Sequence, residues 1–318
     1  MKIFTLRQVE PEHDFRQIAA WFTTIEGEPN SEFGLNEYFK NNTQRILQMA
    51  ASDDKGELLG FYWAVRDLSE PGRYNCYLYV RPDQRRQGAG GLLFDDLLHT
   101  AGGIGAYILH ININADCPEC LAFAERRGFS ERRRQIGLEL DLDTFDDRPY
   151  IGLIARLEEE GFHFTTMEAL GNSEGAQRKL YFLNDITAMD VPGSIGEHVW
   201  VSFADFQESV CQADWYKPNG QFVAIDTTTG DWAAMCAITR FASYNHANTL
   251  HIGVDRRYRG RKLGQAVRVL ALRFACDVLK AGSVRTYHNV RNLPALAIDR
   301  KLGYKQLTES ILMEKLLK

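Results

Sequence analysis

Two stretches of this chain carry the same succession of apolar and polar patterns. In each, a short apolar run that is typical of a β-strand (77–80 and 250–254) ends at a basic, glycine-containing turn. The spacing of the apolar positions then changes to that of an amphipathic helix. A second apolar run and a second helical stretch follow in both. The repeated order predicts two copies of a mixed α/β unit.

The landmarks of the two stretches lie in register. Phe129 follows Arg85 by 44 positions, and Tyr304 follows Arg259 by 45. Each of these aromatic residues comes directly after a glycine at the end of a helical pattern. Chance rarely repeats several landmarks at matched spacing, so we infer an internal duplication.

The pattern outside the two turns predicts the rest of each unit. In the first half we expect a strand at 2–7, helices between 12 and 50, strands near 57–66 and 74–80, a helix at 88–101, a strand at 106–113, a helix at 118–127 and a last strand within 130–143. The second half restarts at 161–165 and has a helix around 203–214 and strands near 221–226 and 232–241. An acidic, proline-ended segment at 141–149 marks the boundary. We therefore expect domains at 1–148 and 161–318, joined by a linker helix at 149–160.

Each basic turn combines features that suit a bound phosphate. A helix N-terminus leaves backbone N–H groups unpaired and carries a partial positive charge, and glycines let the backbone approach the anion. The residues expected at the two phosphate sites are Arg85, Arg86, Gln87, Gly88, Ala89 and Gly90 in the first copy, and Arg259, Gly260, Arg261, Lys262, Leu263 and Gly264 in the second.

These turns resemble the signature of the GNAT superfamily, the acyl-CoA-dependent N-acyltransferases, in which a strand is followed by [Gln/Arg]-x-x-Gly-x-[Gly/Ala]. Residues 85–90 match it completely. In the second copy, an alignment anchored on the strand places Lys262 where the first glycine belongs, whereas a frame that starts at Arg261 restores the consensus. The closing helices at 122–129 and 296–304 extend the resemblance, which points to tandem members of the mycothiol-synthase type.

The resemblance implies two tandem GNAT domains, each a twisted mixed sheet flanked by helices. It also implies transfer of an acetyl group from acetyl-CoA, as co-substrate and without a metal, to a primary amine of a small molecule. Besides the loops, the residues that it implies for CoA binding are Leu78, Val80, Asp116, Ile252, Val254 and Asn292, of which Asp116 and Asn292 equally suit a helix cap. Acetylation of a protein or peptide N-terminus and non-catalytic acyl-CoA binding are the alternatives.

The catalytic groups are less evident than the loops. The tyrosine that the family commonly uses as an acid is replaced by Ala124 and Asp299 at the matching positions. A base is often placed on the strand that leads into the loop, where this chain has Tyr77 in the first copy and His251 in the second. His251 has a suitable unperturbed pKa, although a histidine on a strand also serves in structural hydrogen bonding.

Composition narrows the remaining classes. The formal net charge of −5 argues against a general nucleic-acid binder. No apolar run approaches the roughly 20 residues that cross a bilayer, and the N-terminus lacks the apolar core of a signal peptide, so we expect a cytoplasmic location. The six cysteines are scattered, which favours free thiols, and the Cys117–Cys120 spacing lacks a second pair for zinc. A monomer in which the two domains pair internally is favoured over a homodimer.

Overall fold

The computed structural model describes residues 4–26, 31–42, 46–67, 70, 72–192, 202–241 and 244–317. Its contacts divide the chain into two compact units. The first consists of Met1–Arg133 with Ser310–Lys318, and the second is Arg134–Glu309. In the described part, no helix is both long and apolar enough to span a membrane.

The first unit is a mixed sheet with helices on both faces. Its elements are β1 (Thr5–Gln8), α1 (Pro11–Glu26), α2 (Glu32–Asn42), β2 (Ile46–Ser52), β3 (Leu58–Arg66), β4 (Arg73–Val80), α3 (Ala89–Gly103), β5 (Ile108–Asn114) and α4 (Pro118–Glu125). Neighbouring strands are antiparallel except β4 and β5. A parallel pair needs a crossover, and α3 supplies it. One core packs α3 against the sheet, and a second, aromatic core packs α1 on the other face.

The second unit repeats this order. After β6 (Ser130–Asp141), its elements are α5 (Arg148–Glu159), β7 (Phe162–Thr166), α6 (Glu174–Ala188), α7 (Phe203–Phe206), β8 (Gln221–Asp226), β9 (Trp232–Thr239), β10 (His246–Val254), α8 (Leu263–Asp277), β11 (Ser283–Asn289), α9 (Leu293–Leu302) and β12 (Lys305–Leu316). The parallel pair is β10 and β11, connected by α8. Helix α8 packs in the core on one face, and α6 lies over the core on the other. The mixed α/β architecture expected from the sequence is confirmed in both units.

The last strand of each half of the sequence completes the other unit's sheet. Residues 135–141 of β6 pair with β11 in the second unit. Residues 310–316 of β12 pair with β5 in the first unit. The compact units therefore differ from the contiguous domains expected from the sequence, because 134–160 falls in the second unit and 310–318 in the first. The expected linker helix forms as α5, whose Ile154 and Leu157 are buried in the second unit's core.

One stretch was assigned the wrong type of element. The sequence predicted helices as far as residue 50, but Ile46–Ser52 is a strand. It pairs with β1 on one side and with β3 on the other. Backbone pairing on both sides overrides the weak local helical preference of this segment.

Candidate functional site

The two phosphate-type loops have the same backbone course. Each begins with a single 3-10 turn (Pro82–Gln84 and Arg256–Tyr258) directly after the strand. Left-handed conformations follow at the same two positions, Arg86 and Gly88 in the first loop and Gly260 and Lys262 in the second. The structure therefore supports the strand-anchored alignment, in which Lys262 stands at the first glycine of the signature. Lys262 adopts a φ of 67° there, a conformation that is unfavourable for a residue with a side chain.

The helix that follows each loop presents unpaired amide groups to it. The hydrogen bond from Ala266 N to Lys262 O is the first of α8, and the bond from Leu92 N to Gly88 O is its counterpart in α3. The N–H groups before these bonds are the ones that a helix start leaves without intrahelical partners. The side chains of Ala89 and Leu263 are buried, so these two residues can meet a ligand only through their backbone. Helix starts of this kind are suited to an anion, and phosphate binding at these two stays a prediction.

The first arginine of each loop shapes the loop from within. Arg85 donates from Nε to Val80 O at 3.1 Å, and Arg259 donates from Nε to Val254 O at 3.2 Å. The guanidinium of Arg259 also pairs with Asp190 at the end of α6. Both arginines thus close their loops onto the preceding strands, and their contact with a phosphate stays a prediction. The exposed side chains of Gln87, Arg261 and Lys262 lie beside the helix starts instead.

The other residues expected to bind CoA occupy three kinds of place. The strand residues pack in the cores beneath the crossover helices and are Leu78, Val80, Ile252 and Val254. Asn292 caps α9, since its Oδ1 accepts a bond from Ala295 N at 3.5 Å. Asp116 is exposed, and α4 begins after Cys117 without a side-chain cap. A polar residue precedes the closing helix in both units. Asn292 caps its helix with its side chain, whereas Asp116 does not.

Strand β10 has a bulge beside its loop. The antiparallel ladder pairs Thr249 with Ile238 and His251 with Ala237, so that Leu250 is an extra residue. The parallel ladder to β11 ends at Asn248, which leaves the end of β10 next to the loop without a β11 partner in the described structure. In β4 the antiparallel ladder to β3 runs without a shift, and the parallel ladder to β5 ends at Cys76. The second unit therefore differs from the first in having this bulge in the strand that leads into the loop.

The two catalytic candidates hold equivalent positions in their sheets. Cross-strand pairing places Gln221, Ala237 and His251 in one row of the second unit. The equivalent row of the first unit is Gln48, Trp63 and Tyr77. Both rows lie on the sheet face opposite the crossover helix. The central residue of the row is Ala237, with a small side chain, in the second unit. In the first unit it is Trp63, and tryptophan has the largest side chain of all.

His251 is held in one tautomer by α6. Its Nε2 lies 2.9 Å from Thr187 Oγ1, and that hydroxyl donates to Leu183 O at 2.7 Å. While this hydroxyl gives its one hydrogen to Leu183 O, the imidazole donates to it from Nε2, and the lone pair is on Nδ1. Burial lowers the pKa of His251 to about 4, and the ring is therefore neutral near pH 7. Gly253 permits this close approach, because a Cβ there would lie 2.2 Å from Thr187 Oγ1.

A cavity of about 450 Å³ lies between α6 and the sheet of the second unit; we call it the α6 cavity. The described residues that line it are Leu180, Asn184, Ala188, Val191, Phe206, Val210, Trp215, Gln221, Met235, Ala237, Phe241, Leu250 and His251. None of these carries a formal charge when His251 is neutral. Gln221 is 2% exposed, yet its Nε2 has no hydrogen-bond partner, and Asn184 Oδ1 is likewise buried and unpaired. Such groups are costly unless a ligand or water satisfies them.

Aromatic side chains fill the equivalent space of the first unit. Trp63 is 2% exposed and packs against Phe15 and Phe39, with ring centroids 5.7 and 6.3 Å apart. Tyr77 packs edge-on against Phe22 at 5.1 Å. A cavity of about 420 Å³ does exist in this unit, but neither Trp63 nor Tyr77 lines it. In the described part of the first unit, the catalytic candidate Tyr77 therefore packs among aromatic side chains.

Asp299, at the position of the missing tyrosine, belongs to a buried ionic cluster. Its Oδ1 lies 2.8 Å from Arg268 Nη2, and its Oδ2 lies 2.6 Å from His288 Nε2. Arg268 and Asp299 are 1% and 0% exposed. A carboxylate that is paired twice in the core has a structural role and cannot deliver a proton to a substrate. At the matching place in the first unit, Ala124 is also buried.

The cysteines depart from expectation at one pair. Cys117 and Cys120 form a disulfide at the start of α4, so the expectation of six free thiols is wrong for these two. Cys76, Cys211, Cys236 and Cys276 are free. In the described residues, Cys117, Glu119 and Cys120 are the one group of potential metal ligands that lie together. The disulfide removes the two thiolates that a metal would need.

Several residues of this site escaped the sequence analysis. Thr187, Gln221 and Ala237 come from three elements, and their neighbourhood depends on strand register that local pattern does not encode. Arg268 offered a detectable signal, since it interrupts the apolar face of a helical pattern. Its partner Asp299 drew attention only because it stands where the family commonly has a tyrosine.

Comparison with known proteins agrees with this architecture. Residues 13–129 match the model of the acetyltransferase (GNAT) family. The mycothiol acetyltransferase of Acidothermus cellulolyticus is 24% identical over 283 residues, which cover 85% of this chain and 79% of that protein. A GCN5-related N-acetyltransferase from Sphaerobacter thermophilus has a TM-score of 0.74 and 18% identity, with 98% of this chain and 95% of that chain covered. A tandem GNAT protein from the clavulanic acid biosynthesis pathway has a TM-score of 0.70 and 16% identity, with 99% and 98% covered. Residues 13–129 therefore carry the match to the GNAT family of acetyltransferases, and the chain as a whole is similar in fold to tandem GNAT proteins.

Proposed function

We propose that this protein transfers an acetyl group from acetyl-CoA to the primary amine of a small molecule, and that the reaction takes place in the second unit. One observation carries the proposal: His251 lines the α6 cavity from β10, and β10 leads through the loop into the helix start of α8. The first unit has the same kind of helix start, but aromatic side chains pack around its equivalent candidate, Tyr77. A cavity of about 450 Å³ is large enough for a small acceptor.

The second loop fits the phosphate end of acetyl-CoA. The unpaired amides at the start of α8 suit the pyrophosphate, and the exposed cations Arg261 and Lys262 add favourable charge. The end of β10 beyond Asn248, which lacks a β11 partner, offers backbone N–H and C=O groups to the amides of the pantetheine arm. An arm laid along this edge would bring the thioester toward the bulge at Leu250 and to His251.

The amine attacks the thioester carbonyl, and positioning supplies most of the acceleration. As the nitrogen bonds to the carbonyl carbon it becomes positively charged and acidic, so that even a weak base can remove its proton. His251 Nδ1 holds the available lone pair, and Thr187 fixes the ring. The C–S bond breaks as CoA leaves as a thiolate, and the proton that His251 took from the nitrogen is then given up to that thiolate, directly or through water. The amide and the CoA thiol are formed without the tyrosine acid that the family commonly uses.

His251→Ala is expected to lower kcat by about 10²- to 10³-fold, the usual contribution of a general base. Because burial lowers the pKa of His251 to about 4, the wild-type rate should show no acidic limb at pH 6.5. Folding linkage has a definite sign here. Between about pH 6.5 and 4 the unfolded state binds more protons, so stability falls as the pH decreases through that window and is unaffected above it.

Thiol release from acetyl-CoA, followed against pH with a primary-amine acceptor, measures these effects. The matched control is His163→Ala, since His163 is an exposed histidine of the same unit and should leave the rate unchanged. A wild-type acidic limb near pH 6.5 that disappears in His251→Ala would show that His251 titrates normally and would refute the buried, neutral base.

The first unit has features of a different role, one without catalysis. Its loop repeats the anion site of the second, while Trp63 fills the place of the acceptor. We infer that this unit is non-catalytic and retains at most acyl-CoA binding. Calorimetric titration of acetyl-CoA would then give at most two sites, of which one supports turnover.

A further inference from the structure

The side chains that line the α6 cavity indicate which kind of acceptor would bind there. Its lining is dominated by aliphatic and aromatic side chains, among them Phe206, Trp215 and Phe241. The described lining includes no carboxylate, lysine or arginine. Along this described lining, a polyhydroxylated or charged acceptor would find few polar partners to replace its water of hydration, at a cost in free energy. The described lining therefore favours an acceptor with an apolar body.

The polar atoms of the cavity specify two points on that acceptor. His251, which lines the cavity, marks the place of the reacting amine. The buried Nε2 of Gln221 is an unpaired donor, and Asn184 Oδ1 is an unpaired acceptor. A neutral hydroxyl or a similar oxygen group can satisfy such atoms, whereas a second alkyl group would leave them unpaired.

Strand register sets the separation of these points. Gln221 and His251 flank Ala237 across three adjacent strands. With strands about 4.8 Å apart, their backbones lie about 10 Å from each other. The small side chain of Ala237 leaves the space between them open. The acceptor thus carries its amine and its oxygen at opposite ends of an apolar body.

We propose that the acceptor is an apolar amine, of the arylalkylamine size, with a neutral hydrogen-bonding oxygen at the end remote from the amine, and that Gln221 reads this oxygen. This inference rests on the proposed function and narrows it to one substrate class. Gln221 is a specificity residue: its amide donates to the oxygen while His251 meets the nitrogen. Aminosugars and peptide N-termini fall outside the class, because their bodies are polar.

The test uses the full chain, saturating acetyl-CoA and four acceptors: 4-(2-aminoethyl)phenol, 2-phenylethylamine, glucosamine and an alanine-initiated tetrapeptide. The phenol-bearing amine is expected to exceed phenylethylamine by about tenfold in kcat/KM, the effect of one hydrogen bond to a neutral group. In Gln221→Leu the ratio should fall to about one. Gln212→Leu, the same change at an exposed glutamine of this unit, should keep the ratio of ten.

The outcomes separate the two proposals. Preference for glucosamine or the tetrapeptide, or a ratio of ten that persists in Gln221→Leu, would overturn the inference and leave the acetyltransferase proposal intact. Calorimetric binding of acetyl-CoA without thiol release for any of the four acceptors would overturn the proposed function itself. A thermal melting curve for each variant checks that it is folded when its kinetics are compared with those of the wild type.

Discussion

Ala237→Trp is expected to lower kcat/KM for the amine by about 100-fold or more, while acetyl-CoA binding changes less than threefold. The substitution gives the second unit the residue that the first unit has at the equivalent place, since Trp63 pairs with Tyr77 as Ala237 pairs with His251. An indole at this position would occupy the α6 cavity between Gln221 and His251. Steady-state kinetics and calorimetry on the same preparation measure the two effects.

The reciprocal change is the matched control. Trp63→Ala opens the first unit but supplies no histidine, so we expect no gain in acetylation. It should instead lower the free energy of unfolding by about 3–5 kcal/mol, because a large buried side chain leaves a cavity. If Trp63→Ala changed the acceptor kinetics and Ala237→Trp did not, the acceptor would bind in the first unit.

Asp299→Ala is expected to lower the free energy of unfolding by about 3–5 kcal/mol. The substitution leaves Arg268 charged and unpaired in the core, and a broken buried pair costs this much. It also removes the 2.6 Å bond to His288. Replacing both partners by apolar residues, Arg268→Met with Asp299→Leu, should recover most of the loss. Urea titration at pH 7 of the wild type and both variants measures these effects.

A surface pair provides the comparison for this effect. Arg178 and Glu174 interact at 2.6 Å on the exposed side of α6, and Arg178→Met should cost no more than about 0.5 kcal/mol. A loss below about 1 kcal/mol in Asp299→Ala would contradict the structural role, and it would make Asp299 available again as a candidate acid.

The sequence was most informative where the structure is local. The strand, turn and helix of each loop are contiguous in the chain, and their duplication predicted two copies of one mixed α/β unit. The exchange of β6 and β12 could not be anticipated in this way, because strand pairing between distant segments leaves no local periodicity. The strand β2 was missed for the same reason.

The site was predicted only in part. His251 was found by counting back from the loop, but its tautomer depends on Thr187, which lies 64 positions earlier in the chain. The contrast between Ala237 and Trp63 emerges only when three strands are placed in register. For Asp299, the family resemblance indicated a missing acid, whereas burial and the pairing with Arg268 reveal a structural residue.

The central claim is that the second unit carries the chemistry, and identical substitutions in the two loops test it most directly. Gly90 and Gly264 occupy the same helix position, and an added Cβ would approach Phe123 at 3.2 Å and Val254 at 3.0 Å, respectively. Gly264→Ala serves as the steric control for the carboxylate. We expect Gly264→Asp to reduce kcat/KM for acetyl-CoA by about 100-fold, from repulsion and lost contacts of ~2.7 kcal/mol, and Gly90→Asp to reduce it less than threefold. A large loss in Gly90→Asp with little change in Gly264→Asp would place catalysis in the first unit and contradict the account.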